Sequence, residues 1–261
     1  CGAGEGPAHR QGCCSAADAA DARRVAELLG FPFYSVDFDE HFDRIVAYFV
    51  GEYLAGRTPN PCVVCNTWLK FGRLFEYADG LGAEYVATGH YARLVDVGEP
   101  VPALFRGRDT GKDQAYVLFG IERSRLARIL LPLGEYLKTD IRRIAAELGL
   151  RVAAKRDSQE VCFVPDRDHA AYIRRQRPGL DTSGEIVTTG GQVVGRHGGI
   201  ERYTVGQRKG LGVAFGERRF VVRLEPESRR VVVGTRDSRV SLLNGDGQRD
   251  LAWLKKTGPS A

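Results

Sequence analysis

The sequence predicts an α/β fold with a parallel sheet, followed by a smaller β-rich region. Three observations carry this. Short apolar stretches alternate with amphipathic helical stretches through residue 155, the pattern of strands joined by crossover helices. No apolar run approaches the ~20 residues that a membrane helix needs, so the 43% hydrophobic content is available for a globular core. After residue 157 helical periodicity fades and glycines crowd into residues 184–216.

The elements follow in order. Residues 1–12 are Gly-rich and polar and read as a loop. From Ser15 a helix is expected with Ala22, Val25, Ala26 and Leu29 on one face, stopped by Gly30 and Pro32. Phe33–Phe38, rich in aromatics, reads as a short strand. Phe42, Ile45, Val46 and Phe49 mark a second amphipathic helix. Thr58-Pro-Asn-Pro61 is extended or turned, because each proline disfavours helix in the residue before it. A third helix is expected from about Asn66 to Ala78, and a buried strand over Glu84–Thr88 ending at Gly89-His90. Thr139 reads as the cap of a helix that turns Ile141, Ile144, Ala145 and Leu148 inward, with Gly149 ending it. Arg219–Leu224 and Arg230–Val233 flank Glu225-Pro-Glu-Ser228, a hairpin pattern. Repeats and low-complexity tracts are absent.

The net charge is +5, and residues 151–209 hold eleven Arg/Lys against seven Asp/Glu. A basic middle segment fits a polyanionic partner such as RNA, and it equally fits a solvated basic face. The six cysteines, at 1, 13, 14, 62, 65 and 162, are too few and too scattered for a disulfide scaffold. That favours a cytosolic protein with a few working thiols.

Cys62-Val-Val-Cys65 follows a Pro-rich turn and precedes a helix. A thiol at a helix N-terminus meets the positive end of the dipole, which populates the thiolate. The pair fits a redox dithiol, half of a zinc site, a nucleophile with an incidental neighbour, or two buried small residues. A closed zinc site needs four ligands, and a second CxxC or a paired His is missing, so no metal site is expected. Cys162 lies among apolar neighbours, the usual setting of an inert thiol. Thr88-Gly-His-Tyr91 sits at a strand's C-terminal end, where open α/β sheets bind ligands. Gly89 allows close approach of a nucleotide there, and His90 offers a donor to a phosphate or base. A tight turn with a hydrogen-bonded His reads the same way. Lys112-Asp113-Gln114 groups a cation, a carboxylate and an amide, suited to RNA backbone and base edges or to an ordinary surface loop. Tyr203-Thr-Val-Gly-Gln-Arg-Lys-Gly-Leu-Gly212 joins glycines to Arg208 and Lys209, a phosphate cradle or a basic hairpin turn.

Taken together these stretches resemble the bacterial tRNA-specific 2-thiouridylase family, of the ATP-pyrophosphatase (PP-loop) superfamily. The matching segments are Gly56-Arg-Thr-Pro-Asn-Pro-Cys-Val-Val-Cys-Asn66 with Lys70-Phe71, then Ala87-Thr-Gly-His-Tyr-Ala-Arg93 and Lys112-Asp-Gln-Ala-Tyr116. Asp157-Ser-Gln-Glu-Val-Cys-Phe-Val-Pro165 and Tyr203–Gly212 complete the set, in family order between about Cys13 and Gly234. One motif is weak; five in order are specific.

The resemblance implies a Rossmann-like, adenine-nucleotide alpha hydrolase-like domain over residues 1–156. It implies a small central domain over 157–214 and a partial C-terminal β-barrel over 215–261. It implies Cys65 as nucleophile and Cys162 as the persulfide carrier. Asn60, Pro61 and Cys62 match the segment that meets the target base, Gly89 an ATP contact, and His90 with Lys112, Asp113 and Gln114 the tRNA contacts. The activity implied is ATP-dependent adenylation of C2 of the wobble uridine of tRNA, followed by sulfur transfer to give 2-thiouridine. ATP with Mg2+ is the implied cofactor, and tRNA and a persulfide or sulfur-relay donor protein are the implied partners. The setting is cytoplasmic and away from membranes. The family's Ser-Gly-Gly-Val-Asp-Ser phosphate loop does not occur in the sequence, so the chain is expected to be N-terminally truncated. Some family members carry Asp where this chain has Cys62. Two other readings follow from these features: a tRNA-binding remnant without catalysis, and a thiol–disulfide oxidoreductase using Cys62 and Cys65.

Overall fold

The structure is a computed structural model that describes residues 16–155, 157, 161–164 and 167–235. Cys1, Cys13, Cys14 and Ser15, and residues 236–261 of the barrel expected over 215–261, lie outside the described residues. The chain divides into two compact units, Cys1–Ala47 with Asn60–Arg167, and Tyr48–Pro59 with Asp168–Ala261.

In the first unit, helix α1 spans Ala16–Leu29 and ends at Gly30, whose φ of 75° is the left-handed conformation that terminates helices. The strand expected over Phe33–Phe38 is not formed. A strand needs a neighbour for its backbone groups, and no described strand pairs with these residues; Phe31 and Tyr34 are exposed. Helix α2, Asp39–Leu54, belongs to the first unit as far as Ala47 and to the second from Tyr48; it buries Phe42, Ile45, Phe49 and Val50, a 3–4 residue spacing that keeps one face inward.

The third helix starts earlier than expected. Pro61 is its first residue, where a missing N–H costs nothing, and the Asn60 side chain caps it by accepting from Val63 N at 3.2 Å. One continuous rod follows: α3 (Pro61–Val64), a nine-residue π-helix (Cys65–Arg73) and α4 (Leu74–Gly80). The rod buries Val63, Phe71, Phe75 and Ala78 against Val86, Ala92, Val117, Leu118 and Ile129. Strand β1 (Val86–Ala87) pairs in parallel with β4 (Ile129–Leu130), and Thr88 N extends the ladder to Leu130 O. An antiparallel hairpin, β2 (Ala92–Val95) and β3 (Ala103–Arg106), leaves the loop after β1.

Helix α5 covers Lys138–Glu147. Thr139 lies inside its first turn rather than capping it. The capping interaction comes from Asp140, whose carboxylate accepts from Leu137 N. Ile141, Ile144 and Ala145 are half-buried, whereas Leu148 is exposed.

The second unit holds helix α6 (His169–Gln176) and a four-stranded sheet in the order β6-β5-β8-β7. Its strands are β5 (Gly184–Thr188), β6 (Val193–His197), β7 (Phe220–Glu225) and β8 (Arg230–Gly234). The expected hairpin at 219–233 is β7–β8. Alternation sorts the strands cleanly: Ile186, Val221, Val231 and Val233 enter a core with Ile200, Tyr203 and Leu211, while Val187, Val222 and Val232 cluster on the opposite face. Glu201 is fully buried and held by Arg174 at 2.9 Å and by the Thr182 hydroxyl at 2.6 Å.

Candidate active site around two cysteines

Every residue singled out for sulfur transfer belongs to the first unit. Cys62 is exposed in the first turn of the rod, and Cys65 is half-buried at the start of the π-helix. Both are in the thiol form, as is Cys162. A π-helix is rare and frequent at functional sites, and this one begins at Cys65. Asn66 follows, 3% exposed, donating from Nδ2 to Cys62 O at 3.0 Å. Its Oδ1 is buried and meets no partner among the described residues.

Cys162 is not fully buried, although the two apolar residues that follow it are. Phe163 and Val164 are buried, with Phe163 set edge-on to Phe42 at 5.6 Å, while Cys162 is half-buried on a turn closed by Val164 N to Val161 O. The neighbours anchor the loop and the thiol stays at the surface of the unit.

Gly89 and His90 follow β1. A Cβ at Gly89 would meet only Leu133 Cδ1, at an ordinary 3.5 Å, so neither the backbone nor the neighbours demand glycine, and space there is open to a ligand. His90 is 6% exposed, packed on Phe71 of the rod at 6.0 Å, with Nδ1 2.8 Å from the Thr88 hydroxyl. Burial, with the Lys70 charge adding to it, pushes its pKa down to about 4. It is therefore a neutral ring, able to hydrogen-bond but not to act as a cation.

Lys112, Asp113 and Gln114 are brought against this loop. Gln114 bonds Tyr91 twice, donating from its backbone N to Tyr91 O at 2.9 Å and accepting from Tyr91 N at Oε1, 3.0 Å. Asp113 accepts from Gly107 N and Ala115 N at 3.0 and 3.2 Å. Gly107 must be glycine, since a Cβ would stand 2.6 Å from Tyr91 O. Asp113 thus shapes the loop.

One residue was quoted in a motif without a role. Asp157, five residues before Cys162, is the hub of a cation cluster: Lys112 at 2.7 Å, Arg142 at 3.1 Å and Lys138 at 3.3 Å. The Lys112 hydrogen bond, with help from Lys138 and Arg142, holds its carboxyl down at about 2. Lys138 also lies over the Tyr91 ring at 5.4 Å. So the chain entering the Cys162 turn is fastened to the Lys112 loop and to the first turn of α5. Nothing in the spacing of the sequence marks Lys138 or Arg142 for this.

In the second unit, Gly206 N donates to Val221 O, and Gln207 accepts from Thr204 N and donates to Lys209 O. The loop is fixed and leaves Arg208 and Lys209 exposed. Among the described residues no group of three or more His, Cys, Asp or Glu could hold a metal, and no helix is long and apolar enough to cross a membrane.

Two family models match the chain, one described as the tRNA methyl transferase HUP domain over residues 4–166 and one as the tRNA methyl transferase PRC-barrel domain over residues 172–235. The tRNA-specific 2-thiouridylase MnmA of Rhodopirellula baltica is 60% identical over 228 residues, covering 87% of this chain and 57% of that protein. The protein of the same name from Solibacter usitatus is 50% identical, covering 94% of this chain and 68% of its own. That of Geobacter metallireducens is 48% identical, covering 93% and 66%.

This chain belongs to the tRNA-specific 2-thiouridylase family.

The chain spans little more than half the length of the Rhodopirellula relative and about two thirds of the other two. The first unit is the Rossmann-like α/β domain of the family. The step from one matched region to the next, between residues 166 and 172, brackets the division of the structure at Arg167 and Asp168. The region matched to the PRC-barrel is an open four-stranded sheet among the described residues, not a closed barrel.

Proposed function

We propose that the protein acts in tRNA 2-thiolation, with Cys162 carrying the transferable sulfur and Cys65 as the resolving nucleophile. The observation that supports this most is the pair of half-buried thiols in one unit. Cys65 heads a π-helix, and the Cys162 turn is fastened through Asp157 to the Lys112 loop. The family relatives named for 2-thiouridylation supply the reaction class.

A uracil C2 carbonyl is a weak electrophile whose oxygen leaves poorly. ATP supplies the activation, so that this oxygen departs as AMP. The terminal sulfur of a Cys162 persulfide attacks C2 as AMP leaves. Cys65 thiolate then attacks Cys162 Sγ, the S–S bond to the base breaks, and 2-thiouridine is released with a Cys65–Cys162 disulfide. Attack by Cys65 on the persulfide before transfer gives the same disulfide and frees sulfide as the nucleophile. The open space at Gly89 suits the nucleotide, and neutral His90 offers the tRNA a hydrogen bond. Asn60, Pro61 and Cys62 face the flipped base, and Lys112 and Gln114 meet the tRNA. Mg2+ enters with the ATP phosphates, as this ion generally does. The sulfur comes from a persulfide donor protein in the cytoplasm.

The test is 2-thiouridine formation on unmodified tRNA with ATP and a sulfide donor, read by nucleoside mass spectrometry. Product is expected from the complete protein that contains this chain and not from its Cys162→Ser or Cys65→Ser variant. Undiminished product from Cys162→Ser would overturn the assignment. Peptide mapping after turnover without reductant is expected to recover the Cys65–Cys162 bond; a Cys62–Cys65 bond would argue for a dithiol instead.

A further inference from the structure

The first unit has seven half-buried Lys and Arg side chains among its described residues: Lys70, Arg93, Lys112, Arg125, Arg128, Lys138 and Arg142. Six are ion-paired, to Glu135, Asp157, Glu122 and Asp79. Lys70 has no hydrogen bond or ion pair to any described residue. A half-buried cation loses part of its hydration, and the usual compensation is a carboxylate. Here the neighbouring titratable side chain is His90, which carries no charge at neutral pH and feels Lys70 as a repulsive cation.

The position of Lys70 says what would compensate it. The i→i+5 hydrogen bonding of a π-helix places residue 70 one turn beyond Cys65. The next residue, Phe71, packs on His90, so this part of the rod lies beside the Gly89–His90 loop. A cation in that place, with a neutral donor ring and an uncrowded glycine next to it, matches a phosphate group.

We propose that Lys70, with the His90 ring beside it, is a phosphate-binding contact, one turn along the π-helix from Cys65. The proposal deepens the thiouridylase reading and rests on it for the source of the phosphate, which is a nucleotide or the RNA backbone.

Binding of inorganic pyrophosphate, AMP and unmodified tRNA is measured by calorimetry on the wild-type chain, Lys70→Gln and Lys70→Arg. Lys70→Gln is expected to weaken pyrophosphate binding about tenfold, the loss of one charge-assisted hydrogen bond, and Lys70→Arg to retain most of it. The melting temperature of Lys70→Gln should be unchanged or higher, because an uncompensated charge is removed. Lys138→Gln, which breaks a pair, should melt lower. If AMP binding falls in step, the phosphate is the nucleotide's. If AMP is unaffected and the salt-dependence slope for tRNA drops by about one, it is the RNA backbone's. Pyrophosphate, AMP and tRNA binding unchanged in Lys70→Gln, or no wild-type binding of any of the three, overturns the site. Wild-type pyrophosphate binding lost in Lys70→Gln, with no tRNA binding at all, supports the site and removes the thiouridylase reading instead.

Discussion

His90 and Asp157 both have depressed pKa values, the first through burial and the second through the cations that hold it. His90 has a folded pKa of about 4 against an ordinary 6.5. A group that binds fewer protons when folded contributes stability that is complete above its unfolded pKa and is lost as pH falls. His90 should therefore leave stability level above about pH 6.5 and erode it between there and pH 4. NMR titration of the ring should show it neutral down to about pH 5; a midpoint near 6.5 would mean that the ring is not buried as described. Asp157 also has a depressed pKa, about 2 against 3.8, so its contribution is present above 3.8 and lost as pH falls towards 2. Asp157→Asn keeps the shape and removes the charge shared by Lys112, Lys138 and Arg142. It should cost about 1–3 kcal/mol at neutral pH, measured by denaturant unfolding. The mutant should also lack the acid limb between pH 4 and 2.

The rod from Pro61 to Gly80 concentrates the site because two local rules meet in it. Asn60 and Pro61 set its start, and removing the cap with Asn60→Ala should cost about 1 kcal/mol and lower the melting temperature by a few degrees. Close approaches tie the π-helix to Gly120 and, elsewhere in the unit, Gly134 to Ala92. A Cβ at Gly120 would lie 2.3 Å from the Thr67 hydroxyl, and one at Gly134 would lie 2.0 Å from Ala92 O. Backbone cannot yield as a flexible side chain does, so Gly134→Ala should be the more damaging of the two, by about 1–3 kcal/mol. Equal melting temperatures for the two variants would contradict this.

At the level of the folded chain, the second unit depends on one buried charge. Glu201 is enclosed with Arg174 and Thr182. Glu201→Ala removes the buried acceptor of the Thr182 hydroxyl and Arg174 and should cost about 1–3 kcal/mol. Hydrogen exchange should show protection lost over residues 184–234 and kept in the strands and helices around Phe75. Loss of protection in both units alike would mean that they unfold as one.

The pattern of apolar residues, prolines and turn glycines was enough to place the α/β unit ahead of a β-rich one, because periodicity and turn chemistry are local. The same holds for the thiols: Cys62, Cys65 and Cys162 were legible through the ordered segments that contain them. What local pattern could not supply is anything that depends on a partner distant in the chain. Phe33–Phe38 has strand composition but no described neighbour to pair with. Thr139 looks like a cap, yet Asp140 holds the orphan N–H of Leu137. His90 reads as a hydrogen-bonding ring, and only its burial makes that ring neutral. Asp157 gains its meaning from Lys138 and Arg142, and Lys70 from the carboxylate that does not face it. Ion pairing, desolvation and close backbone approach arise between segments tens of residues apart, and they exist only once the chain has folded.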